Sequence, residues 1–249
     1  MRNSYIGQAW LVLVLALCFG AALAGVETWL RPRIDANKLA ATIREIPRLV
    51  EGADPNASAA EEPVVVILGN GRDRTRYEAF RALARQAVED NAGLQAEQIV
   101  QIGWVIKASG KGFADKIELL IGTDESVGTI TGLAILEHKE TPGLGNEIEE
   151  MGTEAKHGFL WPFFHWGPRA DRPLVVVTGA SPKMDDQGSE NRIQAVSGAT
   201  ISSRSVCDII NETLGNRTLH RELAERARRY NERATSRRAA AGAGAGAKD

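Results

Sequence analysis

Two short segments hold the residue types from which a ligand site is most readily built. The first is Ser197-Gly198-Ala199-Thr200, followed by Ile201-Ser202-Ser203. Small residues let a backbone approach a ligand closely. From Ile201 onward Val206, Ile209, Ile210 and Leu214 recur at helical spacing, so the segment opens a helix. The start of a helix offers free N–H groups and the positive end of its dipole, which outlines a phosphate site. Local physics alone favours a plainer role, in which Ser and Thr only cap the helix. The second segment, Glu140-Thr141-Pro142-Gly143-Leu144-Gly145, is a restricted turn directly after an apolar run. Alone, it is only a turn.

Other chemistries find less support. His138, His157, His165 and His220 have neither paired spacing nor companion cysteines, which argues against a local zinc or iron site. Cys18 lies in an apolar run and Cys207 far away in the polar body, so no disulfide framework is expected. Acids and bases nearly balance at a net charge of -2, giving no general attraction to nucleic acid. No G-x-G-x-x-G opens a helix after a strand, so a nucleotide fingerprint for NADH is lacking. Cysteine ligands for an iron-sulfur cluster are also missing.

The elements that must position the two segments follow from periodicity. Val64 to Leu68, Val100 to Lys107, Ile117 to Ile121, Ile130 to Leu136 and Leu174 to Thr178 are rich in apolar, mostly β-branched residues and predict strands, the middle three as an antiparallel meander. Arg76 to Glu89 carries Tyr77, Phe80, Leu83, Ala84, Ala87 and Val88 at spacing that predicts a helix. Trp161 to Trp166 (WPFFHW) is too interrupted by proline for a regular helix and too apolar for a surface loop, so it belongs against a core. Gly215 is a stop for the helix after Thr200. A further helix is expected from Thr218 to Arg238, with Leu219, Leu223, Ala227, Tyr230 and Ala234 as its stripe, placed on a partner or in solvent. The final AAAGAGAGAKD has too little apolar surface to order itself. These elements predict an α+β fold with an antiparallel sheet packed by helices.

Ahead of this body, Ala9 to Val26 carries no charge. About 18 residues in a helix make roughly 27 Å, close to the hydrocarbon thickness. Trp10 and Trp29 suit the interfaces, and Arg31 and Arg33 follow as a polar stop. This favours a single transmembrane anchor over a cleaved signal peptide, although Ala22-Leu23-Ala24 resembles a cleavage site. Ile34 to Val50 reads as a helical stalk and Glu51 to Glu62 as a linker. The expected organisation is residues 1–8 as a short N-terminus whose side of the membrane these residues leave open, 9–30 as the anchor, 31–62 as stalk and linker, 63–216 as the principal domain, and 217–249 as a basic helix and tail.

Taken together and in this order, the two segments resemble the FMN-binding domain shared by the Rnf complex G subunit and the NQR complex C subunit. The likeness also takes in Gly103-Trp104-Val105-Ile106-Lys107-Ala108-Ser109-Gly110-Lys111-Gly112-Phe113, the stretch from Ile117 through Thr129-Ile130-Thr131-Gly132, and Glu137-His138-Lys139. It covers roughly Val100 to Leu214. In that family the last Thr of D-(G/A)-x-(S/T)-G-A-T carries FMN through a phosphoester, installed from FAD by a magnesium-using flavin transferase. That Thr is Thr200 here. The resemblance implies that Ser197, Gly198 and Ala199 lie near the phosphate and ribityl chain, and that Glu140, Thr141, Gly143, Leu144 and Gly145 lie near the flavin. The family's acidic residue is replaced by Gln194. The resemblance further implies an electron-transfer subunit that acts with other membrane and redox subunits of an ion-translocating complex. Its domain would stand on the periplasmic side of a bacterial inner membrane, with the N-terminus, residues 1–8, in the cytoplasm. His138-Lys139 and the chain length lean toward the Rnf G subunit over the NQR C subunit. A membrane-attached flavin sensor and a structural interaction protein, whose basic helix docks a partner or anionic lipid, are the readings from other classes.

Overall fold

The computed structural model describes residues 2–69, 74–89, 95–152, 158–179 and 189–245. The chain divides into two units, residues 1–42 and 43–249. The first is helical throughout its described part, within helix α1 (Arg2–Leu49). Trp10, Leu13, Leu17, Phe19, Leu23 and Trp29 are all exposed on it. Gly7–Leu49, which contains the apolar run Ala9 to Val26, is by length and composition a candidate to cross a membrane.

In the second unit five strands form one antiparallel sheet in chain order: β1 (Val64–Leu68), β2 (Thr75–Glu89), β3 (Gln95–Lys111), β4 (Lys116–Asp124) and β5 (Ile130–Glu137). The meander therefore has the order that the sequence predicts, with longer central strands. Period-two alternation makes it a two-faced core. Trp104, Ile106, Ile117, Leu119, Ile121 and Leu133 face one side, against helices α4 (Thr200–Leu214) and α5 (Arg217–Ala245). Val105, Leu120 and Ala134 face the other, packing with Phe80 and with Ile46 and Leu49 from the end of α1. Fully burying one such Leu or Ile stabilises the fold by roughly 1.5–3 kcal/mol. On this second face the chain comes very close to the sheet. A Cβ on Gly122 would lie 2.5 Å from the Leu49 carbonyl oxygen, and the Thr131 hydroxyl donates to that same oxygen at 2.6 Å. A short parallel pair, β6 (Val175–Val177) with β7 (Arg192–Gln194), forms a second, two-stranded sheet.

Several local expectations are corrected. Arg76 to Glu89 is strand β2, not a helix. It pairs with β1 on one side and β3 on the other, and this long-range pairing overrides the helix preference of its Ala, Arg, Gln and Glu. A bulge at Ala82/Leu83 breaks the alternation and buries Ala82, Leu83 and Ala84 in succession, which imitates helical spacing. Trp161–His165 forms one helical turn, α3, because Pro162 sits in the first turn, where proline is tolerated. Its Phe163 is fully buried, in line with a place against the core. Within Glu51 to Glu62, Pro55–Ala59 forms a short helix, α2, capped by the Asp54 carboxylate, which accepts from Asn56 and Ala57 N–H. Gly215 ends α4 in right-handed helical geometry (φ -65), and Asn216 at once caps α5 by accepting from Thr218 and Leu219 N–H. Helix α5 runs on to Ala245, so the AAAGAGA part of the tail is helical backbone; residues 246–249 lie outside the described residues. Its stripe packs inward, with Leu219, Leu223 and Ala227 wholly buried in the main core. The Asn231 side chain accepts from Gln101 N–H at 2.7 Å and donates to the Gln101 carbonyl at 3.0 Å, which fastens α5 to β3.

Candidate functional site

The fold brings the two segments together. A pocket of about 300 Å³ is lined by Phe113, Glu140, Thr141, Leu144, Gly145, Gly198, Ala199, Thr200, Ile201 and Ser202. One wall comes from the turn after β5, one from the start of α4, and Phe113 comes from the β3–β4 turn.

The wall on the α4 side begins with a tight turn. Ala199 N–H donates to the Val196 carbonyl at 3.0 Å, and Gly198 takes φ +83 at the third position of that turn. A side chain is strained there, and a Cβ would also lie 3.0 Å from the Leu144 side chain. Wholly buried Ser203 holds the turn from beneath. Its hydroxyl accepts from Val196 N–H and donates to the Ala199 carbonyl, each at 3.0 Å. Thr200 is the first residue of α4, partly buried and at the pocket.

The capping role open to Ser and Thr from local physics is not what forms. The N-cap is Ala199, and no side chain caps this helix end. The first-turn N–H groups thus keep their donor capacity and the positive dipole end at the pocket. An anion on Thr200 would find both.

The opposite wall is the Glu140-to-Gly145 turn. Leu144 and Asn146 N–H donate to the Thr141 carbonyl, and the Asn146 side chain accepts from Gly143 N–H at 2.7 Å. Gly143 has φ +76, which meets the turn's demand for left-handed backbone. Leu144 is left 48% exposed beside Phe113 at 60% and Ile201 at 56%, an apolar rim around the mouth of the pocket. Large apolar side chains gathered in the open mark a contact surface. Glu140 is buried.

Among the expected site residues, Thr200, Gly198, Ala199, Glu140, Thr141, Leu144 and Gly145 meet at the pocket, while Ser197 and Gly143 shape its two turns without lining it. Phe113 is not singled out by residue type, and Ile201 and Ser202 enter the sequence reading only as the start of the helix after Thr200. An apolar residue in a glycine-flanked hairpin turn is the signal that marks Phe113.

The neighbouring titratable groups are held by each other. His138 Nδ1 accepts from Glu140 N–H at 3.0 Å, and its Nε2 faces Glu149 Oε1 at 3.0 Å. Lys139 donates to Asp115 at 2.7 Å. That bond raises the lysine above its ordinary value and lowers the aspartate below its own. Gln194 ends β7, its amide nitrogen donating to the Gly179 carbonyl at 2.6 Å. The aromatic turn α3 lines no part of this pocket. Among the described residues no cluster of His, Cys, Asp or Glu could hold a metal ion; His157 lies outside them.

Residues 112–215 match the model of the FMN-binding domain, and this range contains every residue lining the pocket. Over 114 residues the chain is 34% identical to the G subunit of the Na(+)-translocating ferredoxin:NAD(+) oxidoreductase complex of Acetobacterium woodii, covering 45% of this chain and 48% of that one. It is 32% identical over 113 residues to the G subunit of the ion-translocating oxidoreductase complex of Methanosarcina acetivorans, covering 45% and 50%. The matched part is thus about half the length of these relatives. At 25% identity over 252 residues it also aligns with the C subunit of the Na(+)-translocating NADH-quinone reductase of Yersinia pestis, covering 86% of this chain and 90% of that one.

Proposed function

We propose that the chain is a membrane-anchored flavoprotein subunit with FMN carried on Thr200, a reading supported by the match of residues 112–215 to the FMN-binding domain. In this reading the Thr200 hydroxyl oxygen forms a phosphoester with the flavin phosphate. The uncapped N–H groups of α4 and the tight turn at Gly198 would hold the phosphate. Leu144, Phe113 and Ile201 would supply apolar contact for the ring. The ester lies far from the ring electronics, so it tethers without tuning. Bound FMN supplies one- and two-electron redox chemistry. The protein's part is to hold it at the surface, within reach of a neighbouring redox centre.

The observation that carries this reading is the meeting of two segments more than fifty residues apart on one pocket, with Thr200 at an uncapped helix start. The first unit would anchor the chain in a bacterial inner membrane, with the flavin domain on the periplasmic side. Its partners would be the other membrane and redox subunits of an Rnf-type ion-translocating complex, and a flavin transferase would mature it. The likeness to Rnf-type G subunits favours that complex. The end-to-end alignment with a reductase C subunit supports the NQR-type alternative.

The test is intact mass and in-gel flavin fluorescence of protein co-expressed with a flavin transferase, comparing wild type with Thr200→Ala. The expected result is an added FMN-sized mass in wild type and none in the variant. If wild type gains no adduct while a control substrate does, covalent attachment fails. Gln194→Asp then tests whether the glutamine is the cause. Purification of the complex from native membranes, assayed with ferredoxin or with quinone as the redox partner, separates the two assemblies.

A further inference from the structure

The Glu140 carboxylate, although it lines the flavin pocket, spends its hydrogen-bonding capacity on the protein. One oxygen, Oε1, accepts from the backbone N–H of Phe113 at 2.9 Å and of Ala114 at 3.2 Å. The other, Oε2, accepts from the Ser202 hydroxyl at 2.6 Å. All three partners donate, which is the arrangement a carboxylate requires. The side chain is only 4% exposed. Two glycines close around it. A Cβ on Gly145 would lie 2.8 Å from Glu140 Cβ and 2.9 Å from Oε2, and a Cβ on Gly112 would run into Oε1. These contacts leave the carboxylate one place to sit.

The three donors belong to two elements that share no strand pairing: the β3–β4 turn, which carries Phe113, and the first turn of α4, where Ser202 is two residues beyond Thr200. We propose that Glu140 is the positioning residue of this site, a clamp that fixes Phe113 on the rim relative to Thr200. Resting on the flavin reading, this gives Glu140 a role distinct from contact with the cofactor. It sets where the ring's apolar neighbour stands relative to the anchor point. Hydrogen bonds to a charged, buried acceptor are among the stronger ones in a protein, so one carboxylate suffices to hold both turns.

The test uses the full chain, with Glu140→Ala, Glu140→Gln and Ser202→Ala. Hydrogen exchange at the Phe113 and Ala114 amides is read in flavin-free protein carrying Thr200→Ala, and the visible circular dichroism of the flavin is read in labelled protein. Glutamine keeps an acceptor for the two N–H groups and can donate to the Ser202 hydroxyl. Exchange in Glu140→Ala should therefore accelerate about tenfold or more, the loss expected from a charge-assisted bond, while Glu140→Gln stays within about threefold of the parent. The flavin dichroism should collapse in Glu140→Ala and survive in Glu140→Gln, with the Thr200 adduct present in both. Ser202→Ala breaks only the α4 arm. It should perturb the dichroism and leave the two amides protected, which keeps the proposal testable if Glu140→Ala fails to fold. Parent-like exchange and dichroism in Glu140→Ala, or an effect of Glu140→Gln as large as that of alanine, would overturn the clamp. The exchange readout needs no flavin, so it decides the clamp even if attachment at Thr200 fails.

Discussion

Two of the pockets among the described residues of the second unit are opposite in character, and the larger of these two is not the one with the better claim to a ligand. The larger, about 440 Å³, is lined by Arg169, Arg172, Arg217 and His220 with Asn211, Leu174 and Leu214. Its polar groups are mostly engaged with one another. Arg169 grips Asp171 with two nitrogens at 3.1 and 3.2 Å, and Arg172 lies 3.9 Å from Glu190. Asn211 accepts from Leu174 N–H and donates to the Leu174 carbonyl. The helix that starts there, α5, is capped by Asn216. The Thr200 pocket, about 300 Å³, has a helix start with no side-chain cap, two left-handed glycines in the turns that shape it, and three large apolar side chains in the open. Volume measures only space. A ligand is called for by groups that the protein leaves without partners, and in this respect the smaller pocket exceeds the larger.

The largest effect expected on this contrast comes from filling the Glu140 enclosure. In Gly112→Ala the new methyl would meet the Asp115 carbonyl oxygen at 2.7 Å and the Ile117 side chain at 2.8 Å as well as the carboxylate. Overpacking of this kind should cost about 2–3 kcal/mol in urea unfolding and lower flavin labelling. Arg217→Ala, on the exposed lip of the larger pocket, should change stability by no more than about 0.5 kcal/mol and leave labelling intact. Equal losses from the two variants would erase the contrast.

Asn211→Ala should come next in size. It leaves the N–H and carbonyl of Leu174, a residue 5% exposed, without their partners, at a cost of about 1–2 kcal/mol. Flavin labelling of the folded fraction should not change, because Asn211 serves only the larger pocket. A drop in labelling at full folding would mean that the two pockets are coupled through α4.

How much of this was legible in the sequence depended on whether a residue's role was local. The apolar runs of β1, β4 and β5 declare themselves because their side chains alternate or fill a buried strand wherever the strand lies. Strand β2 does not, since its alanines and long charged residues favour a helix until β1 and β3 flank it, and the Ala82/Leu83 bulge disguises its period. Helix α5 showed its stripe through Leu219, Leu223 and Ala227, but not its seat, because the Asn231–Gln101 bonds join residues 130 apart. At the site, the glycines and Thr200 were legible because turn geometry and a short motif restrict them. The clamp was not: Glu140 and Ser202 meet only when a turn and a helix 62 residues apart are brought together.

The smallest effect tests the one polar atom that weakens the contrast. His220 Nε2, in the larger pocket, is buried with no hydrogen-bond partner among the described residues. Burial holds the imidazole below its ordinary value of 6.5, outweighing the Leu214 carbonyl and the charges of Asp171 and Asp124, which pull the other way. The folded state thus keeps His220 neutral at a pH where the unfolded chain has begun to take up a proton. As pH falls below about 6.5 the unfolded state binds more protons, so stability declines until the folded imidazole also titrates. His220→Gln should flatten this part of the stability curve just below about pH 6.5 without altering flavin labelling. A slope unchanged by the substitution would mean that His220 is not the group responsible. A loss of labelling would make the larger pocket part of the proposed flavin site, and the separation of the two regions would fall.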